Sequence, residues 1–191
     1  YLQAQVRNDM FSGTALVARD GEPIFVQSYG MANYELGAPN TADNSYLLGS
    51  VVKQFTAAAI LQLQEQGKLK VSDPICRYLE TCPQSWQGVT LHHLLTHTSG
   101  IPNFTSLPGW DEKLAMLSYT RPELVALFRD LPLDFAPGEK FDYSNSGYTL
   151  LGVVIERVSG QGYYQYLDEK LFKPAGMTRT YSGDTRALVP D

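Results

Sequence analysis

The stretch LGSVVKQFTAAAILQLQEQG, residues 48–67, decides how the fold is built around it. From Val51 to Gln66 it consists mainly of good helix formers, and Gly67 follows as the residue best suited to a left-handed C-terminal cap. Apolar residues lie on most faces of the predicted helix, so we expect it at the centre of a domain. Ser50 stands at its N-terminal end, where the structure should be rigid.

Ser50 and Lys53 form a Ser-x-x-Lys pattern in this stretch. Residues three apart share a helical face, so the hydroxyl and the amine can meet. A lysine of lowered pKa can take the serine proton, and the backbone N–H of Ser50 at the helix start can stabilise an oxyanion. The alternative is a capping serine beside a solvated lysine. Two observations argue against this alternative. The Ser-x-x-Lys pattern occurs once in the chain, and a charged side chain in an apolar helix is energetically costly unless it has a function.

A second pattern, DYSN at residues 142–145, lies in a loop that leads into a predicted helix. Tyr143 in such a loop can reach a neighbouring site, where its phenol can exchange a proton with the Ser50 hydroxyl. The amide of Asn145 can bind a substrate carbonyl and the lysine amine. A core tyrosine with a capping asparagine is the alternative interpretation.

The remaining sequence predicts one β-hairpin followed by a long helical region. Residues 11–19 and 23–29 have strand composition around Asp20-Gly21, and residues 31–45 have loop composition. Further helices are predicted over residues 90–96, 121–130, 146–158 and 163–171. A lone hairpin is marginally stable in water, so we expect the sheet to be incomplete.

Composition and charge argue against several classes of function. The 191 residues are 43% hydrophobic, and the net charge of -5 is spread along the chain without a basic stripe, which argues against a nucleic-acid partner. No apolar run approaches the roughly 20 residues of a membrane span, and the first ten residues do not resemble a signal peptide. We expect a mature periplasmic or secreted protein from which any secretion signal has been removed, with a cytoplasmic location also open.

Two groups of residues suggest other chemistry. Cys76 and Cys82 lie close enough in sequence for a disulfide, and two free thiols are the alternative. His93 and His97 are one helical turn apart, next to His92, but the acidic residues of a catalytic zinc site are absent from that turn. We expect these histidines to pack beneath the site, and we expect no metal and no organic cofactor.

Three motifs together resemble one protein family. In order they are LGSVVKQFTAAAILQL at residues 48–63, LHHLLTHTSGIP at 91–102 and FDYSNSGYTLLG at 141–152. They are similar to motifs of the serine β-lactamase-like family, which includes class C β-lactamases, D-alanyl-D-alanine carboxypeptidases and carboxylesterases. The resemblance runs from FSGTALVARDG at residue 11 to LFKPAGMTRT ending at residue 180.

This resemblance implies roles and a fold. Ser50 matches the acylated serine, Lys53 its partner, Tyr143 the tyrosine of a Tyr-x-Asn motif and Asn145 the substrate-binding amide. The implied fold class is α/β plus all-α, of the β-lactamase/transpeptidase type. Here it would comprise an N-terminal β-hairpin of an incomplete antiparallel sheet followed by a large helical region.

The chain departs from the family at a third motif. The family carries Lys or His, any residue, then Gly on a strand that provides the other oxyanion N–H, and no such triplet occurs here. We therefore interpret the chain as an N-terminal part. Residues 1–45 would hold the first two strands of the α/β subdomain and residues 46–191 the helical subdomain, with the remaining strands absent. Those strands, or another chain, would complete the sheet.

The predicted function is acyl transfer through an acyl-enzyme on Ser50. Its substrates would be β-lactams, D-alanyl peptides or esters, and the base would be Lys53 or Tyr143. Losing one oxyanion donor typically costs about a hundredfold to a thousandfold in rate, so we expect weak or no turnover from this chain alone. The alternative is a non-catalytic module that binds penicillin or a peptidoglycan peptide.

Overall fold

A computed structural model describes residues 1–110 and 114–181 of the chain. The chain divides into two compact units, Tyr1–Leu48 and Gly49–Asp191. The subdomain boundary between residues 45 and 46 stays a prediction, and each unit is described by itself.

The first unit contains the predicted hairpin. A short helix α1 (Leu2–Arg7) precedes strands β1 (Gly13–Arg19) and β2 (Glu22–Tyr29). The strands pair antiparallel, from Gly13 opposite Tyr29 to Arg19 opposite Glu22. Asp20 and Gly21 join them with φ of 52° and 83°. Two central residues with positive φ make the type I′ turn whose twist matches a hairpin.

The first unit also corrects the expected loop over residues 31–45. Strands β3 (Met31–Asn33) and β4 (Ala38–Pro39) pair antiparallel within it. The Asn33 side chain accepts the Leu36 N–H at 2.8 Å, and this bond closes the turn between the two strands. Asparagine and glycine in this stretch therefore form a tight turn, and the pairing is too short to show a strand pattern in sequence.

The second unit is helical. A 3₁₀ turn over Gly49–Val52 leads into α2 (Lys53–Glu65). The later helices are α3 (Leu91–Leu95), α4 (Arg121–Ala126), α5 (Asn145–Ser159) and α6 (Tyr163–Leu167), and α6 continues into a π-helical stretch, Asp168–Phe172.

Two predicted helices depart from regular α-helical geometry over part of their length. The helix predicted over residues 121–130 ends at Ala126, because the next N–H groups bond three residues back, as Phe128 does to the Val125 carbonyl. These tighter turns bury the Phe128 ring completely. The helix predicted over residues 163–171 changes to π geometry after Leu167, which leaves both Leu167 and Phe172 buried.

The core of the second unit lies where α2 packs against α5. From α2 it includes Ala59, Ile60 and Leu63, while Leu61 is 51% exposed. Helix α2 also contacts α6 and the π-helical stretch, so it lies at the centre of this unit as expected, with Leu61 on its exposed side. Largest among the fully buried side chains of this unit are Trp86, Phe128, Ile60, Leu63, Ile75, Leu91, Leu94, Leu150 and Leu151.

Among the helices of the described residues, none combines the length and the apolar character that crossing a bilayer requires.

Candidate active site

Ser50 and Lys53 lie at the start of α2. The Lys53 Nζ is 3.2 Å from the Ser50 Oγ, so the one-turn spacing brings the two groups together. Gly49 enters the turn with φ of 51°, a left-handed conformation that glycine adopts without steric cost. Because Ser50 lies in the first turn, its backbone N–H has no partner within the helix and can stabilise an oxyanion.

Tyr143 reaches the same serine from the loop before α5. Its hydroxyl donates to the Ser50 Oγ at 2.6 Å, and its side chain is 39% exposed. The Lys53 Nζ lies 4.9 Å from the centre of the Tyr143 ring and 5.6 Å from that of Tyr148, within the range of cation–π attraction. The serine hydroxyl therefore touches two groups that can accept its proton.

The environment of Tyr143 favours its ionised form. Burial by itself raises the pKa of the phenol. Hydrogen bonding with Lys53 and Ser50, together with the Lys53 charge, outweighs this effect and holds the pKa below its ordinary value of 10.0. A phenol of lowered pKa is a better general base near neutral pH than free tyrosine is.

Asn145 holds Lys53 from the other side. Its Oδ1 accepts from the Lys53 Nζ at 2.7 Å, while its Nδ2 donates to the Thr105 Oγ1 at 3.1 Å. Its backbone N–H donates to the Asn103 Oδ1 at 3.0 Å. These bonds fix which end of the amide faces the lysine. Asn145 is the first residue of α5, so the capping role that the alternative interpretation assigned to it belongs to Ser144, whose side chain accepts the Gly147 N–H.

Residues 97–105 form a support beneath the loop of Tyr143. Three backbone hydrogen bonds of 2.8 Å join it to residues 134–142. In each bond a backbone N–H of the second segment donates to a carbonyl of the first: Asp142 to His97, Gly138 to Thr98 and Asp134 to Gly100.

The same support reaches the start of α5. Ser146 is fully buried, and its hydroxyl donates to the Pro102 carbonyl at 2.6 Å and accepts the Phe104 N–H at 2.9 Å. The motif LHHLLTHTSGIP, which contributes no predicted catalytic residue, thus leads into the segment that holds both Tyr143 and Asn145. Sequence reasoning missed Asn103, Thr105 and Tyr148 as neighbours of the site, although Tyr148 lies inside the motif at residues 141–152 and Asn103 directly follows the motif at 91–102.

The other predicted groups are placed as follows. Cys76 and Cys82 form a disulfide in the second unit. The His93 Nδ1 accepts the Thr90 N–H as part of the cap of α3, and the His97 Nδ1 accepts the Ser144 N–H. Within residues 1–110 and 114–181, no group of three or more His, Cys, Asp or Glu side chains is placed to hold a metal ion.

Comparison with known proteins assigns the family. The family model described as Beta-lactamase matches residues 2–190. The chain belongs to the beta-lactamase family. Its fold is the β-lactamase/transpeptidase-like one that the sequence predicted, with a short antiparallel sheet and mostly helical content.

Relatives in this beta-lactamase family have several names. The chain is 37% identical to "Penicillin-binding protein 4*" of Bacillus subtilis over 95% of its length and 40% of the relative's. It is 33% identical to "Esterase EstB" of Burkholderia gladioli over 92% of its length and 48% of the relative's. It thus spans two-fifths to about half the length of these relatives. A penicillin-binding protein from Bacillus halodurans superposes with a TM-score of 0.87 at 35% identity, over 98% of this chain and 57% of that one.

Proposed function

We propose that the protein is a serine hydrolase that forms an acyl-enzyme on Ser50. The observation that carries this proposal is the position of the Ser50 Oγ, 2.6 Å from the Tyr143 hydroxyl and 3.2 Å from the Lys53 Nζ. The phenol is the nearer of the two groups, and its neighbours hold its pKa below 10.0. We assign it the role of base, with Lys53 stabilising the phenolate.

In the proposed acylation step, the Tyr143 phenolate takes the Ser50 proton while the Oγ bonds to the substrate carbonyl carbon. The backbone N–H of Ser50 stabilises the oxygen that becomes negative. The carbonyl then re-forms, the bond to the leaving group breaks, and Tyr143 returns the proton to that group. Water later attacks the acyl-enzyme and releases the acid. In this proposal, Asn145 donates its second Nδ2 hydrogen to the substrate carbonyl.

The proposed substrates are β-lactams, D-alanyl peptides or simple esters. The names of the relatives support this range, since one is called a penicillin-binding protein and another an esterase. One nucleophile can act on all three substrate classes, because each presents an acyl carbon.

The test is covalent labelling of Ser50 by a fluorescent penicillin and by a fluorophosphonate, followed by mass spectrometry of the intact chain and its peptides. One adduct per chain, absent in Ser50→Ala and slowed in Tyr143→Phe, is expected. Labelling records a single event per molecule, so it detects slow acylation as well. An adduct that persists in Ser50→Ala would exclude Ser50 as the nucleophile.

A penicillin-binding receptor without turnover is the second candidate, favoured by the names of the Bacillus subtilis relative and the Bacillus halodurans structure described above, both penicillin-binding proteins. The two candidates differ in the fate of the adduct. A hydrolase regenerates free Ser50 and accepts a second probe molecule, whereas a receptor keeps the first probe bound. A chase with unlabelled penicillin after removal of free probe measures this difference directly.

We further propose a periplasmic or secreted location. The Cys76–Cys82 disulfide supports it, because such bonds persist in oxidising compartments. Lysing the source cells in a maleimide reagent tests the proposal, since the two cysteines should resist modification until a reductant is added.

A further inference from the structure

His97 contacts three consecutive residues around the proposed base. Its carbonyl accepts the Asp142 N–H at 2.8 Å, and its Nδ1 accepts the Ser144 N–H at 3.1 Å. Its ring lies 4.5 Å from the Tyr143 ring with an angle of 31° between the planes. One residue therefore holds the backbone on both sides of Tyr143 and covers one face of its ring.

A second aromatic contact holds the His97 ring in place. The ring of Tyr148, on α5, lies 5.0 Å away with an interplanar angle of 30°. The Tyr148 hydroxyl in turn donates to the Leu95 carbonyl at 3.0 Å. The imidazole thus contacts both the tyrosine that meets Ser50 and a tyrosine of α5.

The backbone of His97 is left-handed, with φ of 58°. Among residues with a side chain, asparagine, aspartate and histidine adopt this conformation most readily. In this conformation the carbonyl and the Nδ1 of one residue can bond to both neighbours of Tyr143. Because Nδ1 accepts a hydrogen bond, the imidazole is in its neutral form with the proton on Nε2.

We propose that His97 is a positioning residue for the reaction: by bonding Asp142 and Ser144 and stacking on the ring between them, it aims the Tyr143 phenol at the Ser50 hydroxyl. This inference rests on the proposed function of Ser50 and Tyr143 and adds the residue that sets their distance. A misplacement of about 1 Å at a reacting group can cost about a hundredfold in rate.

The test compares His97→Gly with His97→Asn. Both substitutions suit a left-handed φ, and the asparagine Oδ1 can take the place of Nδ1 as acceptor of the Ser144 N–H. The two variants therefore differ mainly in whether the side chain of residue 97 can accept the Ser144 N–H. His92→Asn is the matched control, because His92 is an exposed neighbour on α3.

Two quantities are measured: the rate of Ser50 labelling by the fluorescent penicillin, with its probe-concentration dependence, and the pKa of Tyr143 from the ¹³Cζ resonance that Tyr143→Phe removes. We expect His97→Gly to lower the maximal labelling rate about 10- to 100-fold with little change in the half-saturating probe concentration. Its Tyr143 pKa should move toward 10.0, the value of a free tyrosine. His97→Asn should recover most of both quantities.

A purely structural role would lower the melting temperature of His97→Gly and leave the Tyr143 pKa of its folded fraction unchanged, which would overturn the proposal. A His97→Asn variant as slow as His97→Gly would overturn the role of the acceptor bond. If the wild-type chain is not labelled at all, the proposed function fails, but the Tyr143 titration still decides whether His97 sets the position of the phenol. Should His97→Gly not fold, His97→Ala, which also lacks the acceptor, replaces it in the same comparison with His97→Asn, and wild-type values in His97→Ala would overturn the proposal.

Discussion

Lys53 influences its site neighbours through its charge. Its amine contacts the Ser50 hydroxyl, the Asn145 amide and the face of the Tyr143 ring. At the residue scale, the protonation of Tyr143 therefore depends on a balance between burial, which opposes ionisation, and the neighbouring cation, which favours it.

Lys53→Met tests this balance, because methionine retains an unbranched apolar chain and lacks the charge. We expect the pKa of Tyr143 to rise toward or above 10.0, since burial then acts without the opposing lysine. The ¹³Cζ titration of Tyr143 measures it, with Lys68→Met, an exposed lysine after α2, as the control. An unchanged Tyr143 titration in Lys53→Met would show that the lysine charge does not act on the phenol.

The partly buried histidines His93 and His97 predict how stability depends on pH. Burial lowers the pKa of His93 and of His97 below 6.5. The unfolded chain therefore binds protons that the folded chain does not, so the free energy of unfolding should fall as the pH drops below 6.5. Urea unfolding between pH 7 and pH 5 measures this above the range where carboxylates titrate, and His97→Asn should show a shallower fall. A flat wild-type profile would contradict it.

At the element scale, the support under Tyr143 depends on two chain segments approaching closely at Gly100. A Cβ at this residue would lie 2.1 Å from the Phe135 carbonyl oxygen, and its φ is +73°. The Asp134 N–H donates to the Gly100 carbonyl, so the loop cannot move away from a Cβ at residue 100 without losing this hydrogen bond.

Gly100→Ala should therefore lower the free energy of unfolding by about 3 kcal/mol or more, since it combines a strained left-handed conformation with a backbone clash. Gly67→Ala is a matched control, because φ is +70° there as well and a Cβ would meet nothing within 4 Å. It should cost only about 1 to 2 kcal/mol. Chemical denaturation measures the loss of unfolding free energy in each variant. Equal losses would mean that the backbone at Gly100 and Phe135 can move apart to accommodate the added Cβ.

The disulfide acts on one loop of the helical unit. Cys76 and Cys82 are six residues apart. A loop this short contributes about 2 kcal/mol by restricting the unfolded chain. The double variant Cys76→Ser/Cys82→Ser should lose about that much unfolding free energy while Ser50 labelling keeps its wild-type rate. A labelling rate that falls with the disulfide would reveal coupling to the site that the contacts do not suggest.

At the scale of the whole molecule, the Ser50 N–H is the one oxyanion donor proposed for this sequence, which lacks the Lys-x-Gly or His-x-Gly triplet that accompanies the second donor in the family. The chain also spans only two-fifths to about half of the relatives described above. The missing triplet and the partial coverage of the relatives affect the expected rate of hydrolysis more than the local geometry of Ser50.

We expect nitrocefin turnover by the 191-residue chain to be absent or very slow, because a missing oxyanion donor costs about a hundredfold to a thousandfold. Absorbance at high protein concentration measures it, with Ser50→Ala as the blank. Turnover well above that of Ser50→Ala would show that the triplet is dispensable. Whether further strands or another chain complete the sheet stays a prediction, and size measurement in solution tests the second case.

Local sequence determined the hairpin turn at Asp20-Gly21, the helix that starts beside Ser50, and the one-turn spacing of Ser50 and Lys53, because these depend on conformational preferences and helical periodicity. The order of three motifs determined the family and its fold. The sequence predicted that Tyr143 reaches Ser50, but only the tertiary structure gave the 2.6 Å contact and placed His97 against the Tyr143 ring with bonds to both of its neighbours. Such contacts depend on how the segment 97–105 packs under a distant loop, and no local preference encodes that packing.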